Sequence, residues 1–364
     1  MVNFIAGLAL LVIGAELLVR GAASLARRLG VTPLLVGLTI VAFGTSAPEM
    51  AVSIKATFAG QPDIAVGNAV GSNTFNVLFI LGLSALVAPL AVQAKLVKID
   101  VPLMIAVSGA LWLMSLDGAL SRWEGMALFA GIVVFTVASI RLSRRTPTPG
   151  GGDGGPSADP APRWPVARLA GQIIMIIGGL GLCVLGSRWL VDGAVSLART
   201  LGVSELVIGL TVVAAGTSLP ELATSVVAAV RGERDIAVGN IVGSNIFNIL
   251  AILGACATVA PEPVIVSPDV LAFDLPVMAA VAVACLPVFF TGYRIGRGEG
   301  VLFLAFYAAY VGALVLMAVE HHALDEFSTV MLWFVLPLTA LGLGGSVLAA
   351  WRRHGLRHAR NDAS

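Results

Sequence analysis

The sequence predicts an all-α polytopic membrane protein with two inverted five-helix repeats (ten core transmembrane helices) and one extra C-terminal transmembrane helix. Three observations support this class. Hydrophobic residues make up 58% of the 364 residues, charged residues make up only 12%, and the mean hydropathy is +0.95, whereas soluble domains contain about 25% charged residues. Apolar runs of about 20 residues, long enough to cross a bilayer, recur along the chain. Two long segments are nearly repeated at an offset of 172 residues.

The apolar runs predict five helices in the first half of the chain, at about 3–26, 33–59, 66–88, 99–116 and 123–141. They predict five more in the second half and an extra one after them, at about 168–197, 205–231, 236–259, 271–290, 299–319 and 328–350. The Pro/Gly-rich segment between the halves has little to bury and is expected to be a flexible cytoplasmic linker. The expected organisation is therefore a first repeat, a linker, a second repeat, and an extra helix with a basic tail, at 1–145, 146–165, 166–320 and 321–364.

The internal repeat is clearest in two pairs of segments. Residues 37–54 read GLTIVAFGTSAPEMAVSI, and residues 209–226 read GLTVVAAGTSLPELATSV. Residues 67–78 read GNAVGSNTFNVL, and residues 239–250 read GNIVGSNIFNIL. Because each predicted unit crosses the membrane an odd number of times, the second copy is expected to be inverted relative to the first, an architecture common among secondary transporters.

The distribution of basic residues predicts the orientation of the chain. If the N-terminus lies outside, most of the 22 Lys and Arg residues fall in cytoplasmic loops and in the C-terminal tail, as the positive-inside rule requires. We therefore expect a multi-pass plasma membrane (cell inner membrane) protein with the N-terminus outside and with the linker and C-terminus in the cytoplasm. On helix 1, Glu16 and Arg20 are spaced to form an ion pair, and Arg188 and Asp192 occupy the matching positions in the second half.

Glu49 and Glu221 lie in the middle of apolar segments at equivalent positions of the repeat. An ionisable residue at that depth is a functional-site hypothesis by default. Each glutamate directly follows a proline, which lacks an N–H and leaves the carbonyl oxygen four residues earlier without its helical partner. In a single copy, this pattern fits a kinked core helix about as well as a site. The duplicated acid favours one cation site shared by the two halves.

Hydroxyl and amide side chains surround both glutamates in the sequence. The residues just before them are Thr45, Ser46, Thr217 and Ser218. The following helices carry polar stripes with a spacing of four, formed by Asn68, Ser72 and Asn76 and by Asn240, Ser244 and Asn248. Such a stripe can serve as a hydrogen-bonding contact between helices or can supply further oxygen ligands.

The candidate ligands contain only oxygen donors, a set suited to Ca²⁺ or Na⁺ rather than to zinc or copper. Two ionised glutamates would balance one Ca²⁺ or two Na⁺. The expected partners are these ions and the lipid bilayer, with no cofactor, no enzymatic activity and no nucleic acid. The sequence leaves the oligomeric state open, and a monomer can suffice.

GTSAPE and GTSLPE, each followed by GNxxGSNxFN, closely resemble the two α-repeats of the cation/calcium exchanger superfamily, and especially prokaryotic sodium/calcium exchangers. The resemblance covers the first ten predicted helices. It implies four ion sites between the second, third, seventh and eighth predicted helices, and a sliding movement of the first and sixth. The implied central ligands are Glu49, Glu221 and the carbonyl groups of Thr45 and Thr217, with Asn76 and Asn248 at the middle position. The implied outer sodium ligands are Ser46, Ser72 and the Ala42 carbonyl on one side, and Ser218, Ser244 and the Ala214 carbonyl on the other.

The expected function is therefore secondary active antiport, in which Na⁺ and Ca²⁺ compete for one oxygen-lined site at the bilayer midplane and access alternates. Two alternatives remain open at this point. One is H⁺/Ca²⁺ exchange, in which a glutamate titrates during the cycle, and the other is a passive cation channel. Some members of the superfamily carry Asp at a position matching Asn76 or Asn248. Because this chain has Asn at both, proton or potassium coupling through that position is disfavoured.

Overall fold

The computed structural model describes residues 2–145, 166–201, 214–319, 323–342 and 344–345. The predicted linker 146–165, the start of the predicted helix 205–231 and the basic tail lie outside the described residues. The helices of the first half are α1 (Val2–Leu29), α2 (Pro33–Thr45), α3 (Ala47–Phe58), α4 (Pro62–Val87), α5 (Leu96–Asp117) and α6 (Arg122–Arg145). Those of the second half are α7 (Val166–Thr200), α8 (Ala214–Gly216), α9 (Leu219–Val230), α10 (Arg234–Val259), α11 (Val270–Phe290) and α12 (Arg297–Ala318), and α13 (Ala323–Val330) follows.

The predicted multi-span helical architecture is confirmed. Eight described helices are long and apolar enough to cross a membrane, and the bent pair α2–α3 makes a ninth candidate. The remaining predicted spans, 205–231 and 328–350, are only partly described. Helix α4 begins four residues earlier than predicted, because Pro62 fits the first turn of a helix, where its missing N–H costs nothing.

The helix that carries each glutamate is broken shortly before it. Helices α2 and α3 meet at 44°, and the break falls at Ser46, whose backbone has φ −80° and ψ 6°. The same break recurs at Ser218, with φ −88° and ψ 8°. Two residues after each break come Pro48 and Pro220, which sit in the first turn of α3 and α9. The proline therefore helps to start a new helix whose first turn contains the glutamate.

Two equivalent π-helical segments, Asn76–Leu81 in α4 and Asn248–Leu253 in α10, were not predicted from the sequence. Each begins at the asparagine that ends a polar stripe. A π-helical turn widens the helix and is frequent at functional sites. In both halves the wider turn rotates the side chains from the asparagine onward, relative to their directions in a regular α-helix.

Helices α1 and α7 occupy equivalent positions in the repeat and pack against each other through glycine. A Cβ atom at Gly14 would lie 2.7 Å from the carbonyl oxygen of Gly179, and one at Gly7 would lie 2.8 Å from that of Gly186. Later residues of α1 therefore meet earlier residues of α7, so the two helices run antiparallel. Such close approach of backbones is typical of small-residue contacts between membrane helices.

The two halves also pair through four two-residue strands. Strand β1 (Leu90–Ala91) pairs antiparallel with β4 (Arg294–Ile295), and β2 (Ala119–Leu120) pairs antiparallel with β3 (Val264–Ile265). Each strand thus finds its partner in the other half. The centre of the molecule is formed by α4 and α10, and α10 is buried along its whole membrane-length window.

The ion pair predicted on α1 is present and has a third member. Glu16 pairs with Arg20 and also with Arg231, which follows α9. Within the described residues, no ion pair joins Arg188 to Asp192, although the spacing allowed one. The three cysteines, Cys183, Cys256 and Cys285, are buried and form no disulfide.

The α1–α7 contact gives a stability prediction. Replacing Gly179 by Leu would place a side chain against the backbone of α1, where a Cβ would lie 2.7 Å from the nitrogen of Leu18. We expect the variant to lose about 1–3 kcal/mol of stability, measured as a lower melting temperature in detergent. The adjacent Gly178 is exposed, and a Cβ there would meet no atom within 4 Å, so Gly178→Leu is the matched control. An equal loss in both variants would contradict the packing.

Candidate cation site

The two glutamates are buried at the centre of the molecule. Glu49 lies in the first turn of α3 and Glu221 in the first turn of α9, and each is only 1% exposed. The partial positive charge of a helix N-terminus favours a carboxylate at this position. The helix breaks at Ser46 and Ser218 therefore bring two helix N-termini and two acids into the interior.

Each carboxylate is held by a serine from the other half. The Ser46 hydroxyl donates to Glu221 Oε1 at 3.0 Å, and the Ser218 hydroxyl donates to Glu49 Oε1 at 2.8 Å. Each serine lies at the helix break before the glutamate of its own half but donates to the glutamate of the other half. The two bonds are therefore equivalent under the repeat. The structure thus brings the four residues together, as the duplicated motif predicted.

The threonines bond to the first asparagine of the opposite stripe. Thr45 Oγ1 donates to Asn240 Oδ1 at 3.0 Å, and Thr217 Oγ1 lies 3.5 Å from Asn68 Oδ1. The amide groups of the same asparagines donate to Ser53 and Ser225, each at 3.0 Å. Asn68 and Asn240 are therefore contacts between helices. Ser53 and Ser225 were missed, although both lie inside the duplicated segments.

Two further asparagines that the sequence analysis missed fix the amide orientation of Asn76 and Asn248. Asn73 Nδ2 donates to the backbone oxygen of Asn245 at 3.2 Å, and Asn245 Nδ2 donates to that of Asn73 at 3.3 Å. Because a carbonyl oxygen can only accept, these bonds identify which amide atom is nitrogen. The remaining Oδ1 atoms accept from Asn76 Nδ2 and Asn248 Nδ2, both at 3.0 Å. Asn73 and Asn245 repeat at the same offset as the motif, and this signal could have identified them.

The consequence is a group of buried oxygen atoms without hydrogen-bond partners. Those of the predicted site residues are Glu49 Oε2, Glu221 Oε2, Asn76 Oδ1, Asn248 Oδ1 and Ser244 Oγ. Four of these five atoms can only accept, since they belong to ionised carboxylates or to amide oxygens. A buried acceptor without a partner costs free energy, and a bound cation would remove that cost for all of them. The donor set thus fits a hard cation.

The outer serines and the two alanine carbonyls differ more between the two halves than the central residues do. Ser72 Oγ lies at hydrogen-bond distance from Ser218 Oγ, 3.1 Å away, whereas Ser244 Oγ has no partner. The Ala42 carbonyl accepts the Ser46 N–H at 3.0 Å and lies 3.4 Å from the Thr45 hydroxyl oxygen. Ala214 is the first residue of α8, at the matching place. Thr45 ends α2 and Thr217 lies in the turn before α9, where helix carbonyls lack regular partners.

The described residues contain no group of three or more His, Cys, Asp or Glu residues suited to a metal ion. The site instead combines two carboxylates with neutral oxygen atoms. Such a combination is typical of a site for Ca²⁺ or Na⁺ and not for zinc.

Comparison with known proteins identifies the chain's relatives. The family model "Sodium/calcium exchanger protein" matches residues 1–141 and 171–316. "Inner membrane protein YrbG" of Escherichia coli is 39% identical over 319 residues, covering 85% of this chain and 95% of that protein. "Sodium/calcium exchanger MaX1" of Methanosarcina acetivorans is 32% identical over 346 residues, covering 86% of this chain and 98% of that protein.

Solved structures of the sodium-calcium exchanger NCX_Mj share the fold. The structure soaked with zero Na⁺ and Ca²⁺ superposes with a TM-score of 0.71 at 30% identity, covering 86% of this chain and 97% of that one. Another, soaked with 10 mM Na⁺ and 10 mM Sr²⁺, gives a TM-score of 0.71 at 29% identity. The repeated motifs, the helical membrane fold and these similarities agree, and the chain belongs to the sodium/calcium exchanger protein family.

Proposed function

We propose that this chain is a secondary active antiporter that exchanges Na⁺ for Ca²⁺ by alternating access at one oxygen-lined site. One observation carries the proposal. Two buried carboxylates, one from each half, are each bonded to a serine of the other half and each keep one oxygen atom without a partner. The names of the relatives, which are called sodium/calcium exchangers, support Na⁺ and Ca²⁺ as the two ions that this site would exchange.

The charge of the site supports exchange of the two ions. Burying two unneutralised carboxylates together is costly, so the stable states are those in which the bound cations carry two positive charges. One Ca²⁺ or two Na⁺ meet that condition, and both are hard cations that bind carboxylate and carbonyl oxygens. Either load would compete with the other for the same oxygen atoms, and competition combined with alternating access produces antiport.

The proposed ligands follow the repeat. Calcium would bind the carboxylates of Glu49 and Glu221 and the carbonyl oxygens of Thr45 and Thr217, with the amide oxygens of Asn76 and Asn248 between them. Sodium would use, in addition, the two outer groups, which are Ser46, Ser72 and the Ala42 carbonyl, and Ser218, Ser244 and the Ala214 carbonyl. The unpartnered oxygen atoms of both asparagines and both glutamates support the central assignment.

The proposed architecture is a pair of inverted five-helix repeats, at 1–145 and 166–320, joined by the linker 146–165 and followed by the extra segment 321–364. The antiparallel course of α1 and α7 and the exchange of hydrogen bonds between equivalent residues support inversion. We place the N-terminus outside a plasma membrane, on the distribution of basic residues. One relative is named an inner membrane protein. Because α1 and α7 interlock through glycine, we propose that they move as one unit when access switches.

Reconstituted protein tests the exchange directly. Vesicles loaded with Na⁺, with no pH gradient, should take up ⁴⁵Ca²⁺ when placed in Na⁺-free medium, and the uptake should stop when the Na⁺ gradient is removed. Uptake that follows a pH gradient and ignores Na⁺ would instead establish H⁺/Ca²⁺ exchange. Calcium flux that needs no cation on the opposite side would establish a channel.

Replacing either glutamate by glutamine should abolish calcium transport. Glu49→Gln and Glu221→Gln keep an oxygen that accepts the serine hydroxyl but remove one of the two charges that a divalent ion requires. We expect ⁴⁵Ca²⁺ uptake to fall by at least about tenfold, which corresponds to 1.4 kcal/mol or more. The ion-free protein should keep its melting temperature or gain stability, because an uncompensated buried charge is removed.

Glu262→Gln is the control for both variants, because Glu262 lies exposed in the turn after α10. It should leave calcium uptake and calcium-induced stabilisation unchanged. If Glu49→Gln or Glu221→Gln retains normal uptake, the assignment of the site is wrong.

Asn73 and Asn245 are expected to act through Asn76 and Asn248. Asn73→Ala removes the amide oxygen that holds the Asn248 side chain, and Asn245→Ala removes the one that holds Asn76, so the proposed ligand of the other half is no longer fixed in orientation. Loss of such supporting contacts typically lowers metal affinity about 10- to 100-fold. Calorimetric titration with Ca²⁺ measures the effect, with Asn3→Ala at the exposed start of α1 as the control. Unchanged calcium affinity in both variants would show that the network does not position the ligands.

A further inference from the structure

A groove between α5 and α6 lies apart from the proposed ion site. Its volume is about 420 Å³, and it extends from Lys95 and Asp100 at one end to Val107 and Gly131 at the other. Asp100 and Val107 are seven positions apart along the helix, a rise of about 10 Å. Val134 lines the groove and is 67% exposed. In a membrane protein an exposed apolar side chain of this kind faces lipid, so the groove opens toward the bilayer.

The polar end of the groove contains two opposite charges without hydrogen-bond partners. Asp100 is 1% exposed and its Oδ2 atom accepts no hydrogen bond, and the buried Nζ atom of Lys95 donates none. The two opposite charges attract each other without forming a hydrogen bond. The π-helical turn Leu96–Asp100 joins residues five apart, so Lys95 and Asp100 lie on one face of the helix. They stand at the start of the membrane-length segment, where lipid head groups lie.

The second half of the chain shows how a matching carboxylate is satisfied from within the protein. Asp274 is the repeat equivalent of Asp100, and its Oδ1 atom accepts the Tyr310 hydroxyl at 2.7 Å. The Tyr310 ring also stacks on Phe273, with the ring centroids 6.0 Å apart. Tyr310 lies on α12, as does Phe306, which is partly buried against the apolar core.

The equivalent positions of α6 lack these groups. Arg122, Glu124 and Gly125 match Arg297, Glu299 and Gly300 in the sequence. This alignment places Phe135 opposite Tyr310 and Gly131 opposite Phe306. Phe135 lines the groove but has no hydroxyl for Asp100, and Gly131 has no side chain to fill it. The first half therefore has a groove and a carboxylate oxygen without a hydrogen-bond partner, whereas the matching carboxylate of the second half accepts a tyrosine hydroxyl.

We propose that this groove binds a phospholipid whose head group carries both a phosphate and a primary ammonium group. The phosphate pairs with the Lys95 ammonium, the head-group ammonium donates to the Asp100 carboxylate, and one acyl chain lies along the groove. Charge-assisted hydrogen bonds of this type are stronger than neutral ones. A lipid with only a negative head group would leave the Asp100 Oδ2 atom without a hydrogen-bond donor, and a choline head group has no N–H to donate.

Native mass spectrometry of the delipidated full-length protein tests the proposal. The protein is titrated in detergent with phosphatidylethanolamine, phosphatidylcholine or phosphatidylglycerol of identical acyl chains. We expect phosphatidylethanolamine to bind the unmodified protein about tenfold more tightly than the other two. Asp100→Asn should lower its affinity to that of phosphatidylcholine. Asp274→Asn is the matched control, because Asp274 already accepts a hydrogen bond from Tyr310. This variant should leave the preference for phosphatidylethanolamine intact.

Phe135→Tyr gives a second test that keeps the carboxylate. Its hydroxyl would donate to Asp100 as Tyr310 donates to Asp274, so the preference for phosphatidylethanolamine should disappear while the melting temperature is maintained or rises. Equal binding of the three lipids by the unmodified protein would overturn the proposal. So would a preference that survives both Asp100→Asn and Phe135→Tyr.

Discussion

The exchange of hydrogen bonds between the two halves is the constraint on which the centre of this protein depends. Ser46 bonds to Glu221 and Ser218 bonds to Glu49, so neither carboxylate is complete within its own half. Charges buried at this depth are tolerated only when they are paired or hydrogen-bonded. The helix breaks serve this requirement, because they place a serine hydroxyl and a helix N-terminus at the same point in both halves.

A second layer of contacts holds the oxygen atoms in place around these acids. Asn73 and Asn245 bond to each other's backbone and present their side-chain oxygens to Asn248 and Asn76. Only the oxygen ends of Asn76 and Asn248 are left free. The amide groups are therefore oriented by contacts within the protein, which would lower the reorganisation needed for an ion to bind at the proposed site. The π-helical turns that begin at Asn76 and Asn248 lie directly beside this network.

The two halves are alike near the centre and different at the periphery. The serine–glutamate and asparagine–asparagine contacts recur in pairs, whereas α6 and α12 differ. Tyr307 and Tyr310 of α12 form a cluster of aromatic rings with Phe75 of α4 and Phe273 of α11, and α6 carries Ile132 and Phe135 at the matching places. Ile132 and Phe135 are buried, so the difference lies in how the two equivalent helices pack against their neighbours.

The sequence by itself determined the membrane class, the approximate helix bounds, the repeat and the two central glutamates. These features are local or periodic, because span length, a proline shortly after a serine and a duplicated motif can each be read along the chain. The tertiary structure decided which oxygen atoms remain free and that Asn68 and Asn240 join helices. It also decided that Asn73 orients the amide of Asn248 and that Asn245 orients the amide of Asn76. It also revealed the π-helical turns and the open groove beside α6. These features depend on contacts between residues in opposite halves or on differences in packing between equivalent helices. No local pattern encodes them, because a side chain's hydrogen-bond partner is set by the folded neighbours that reach it.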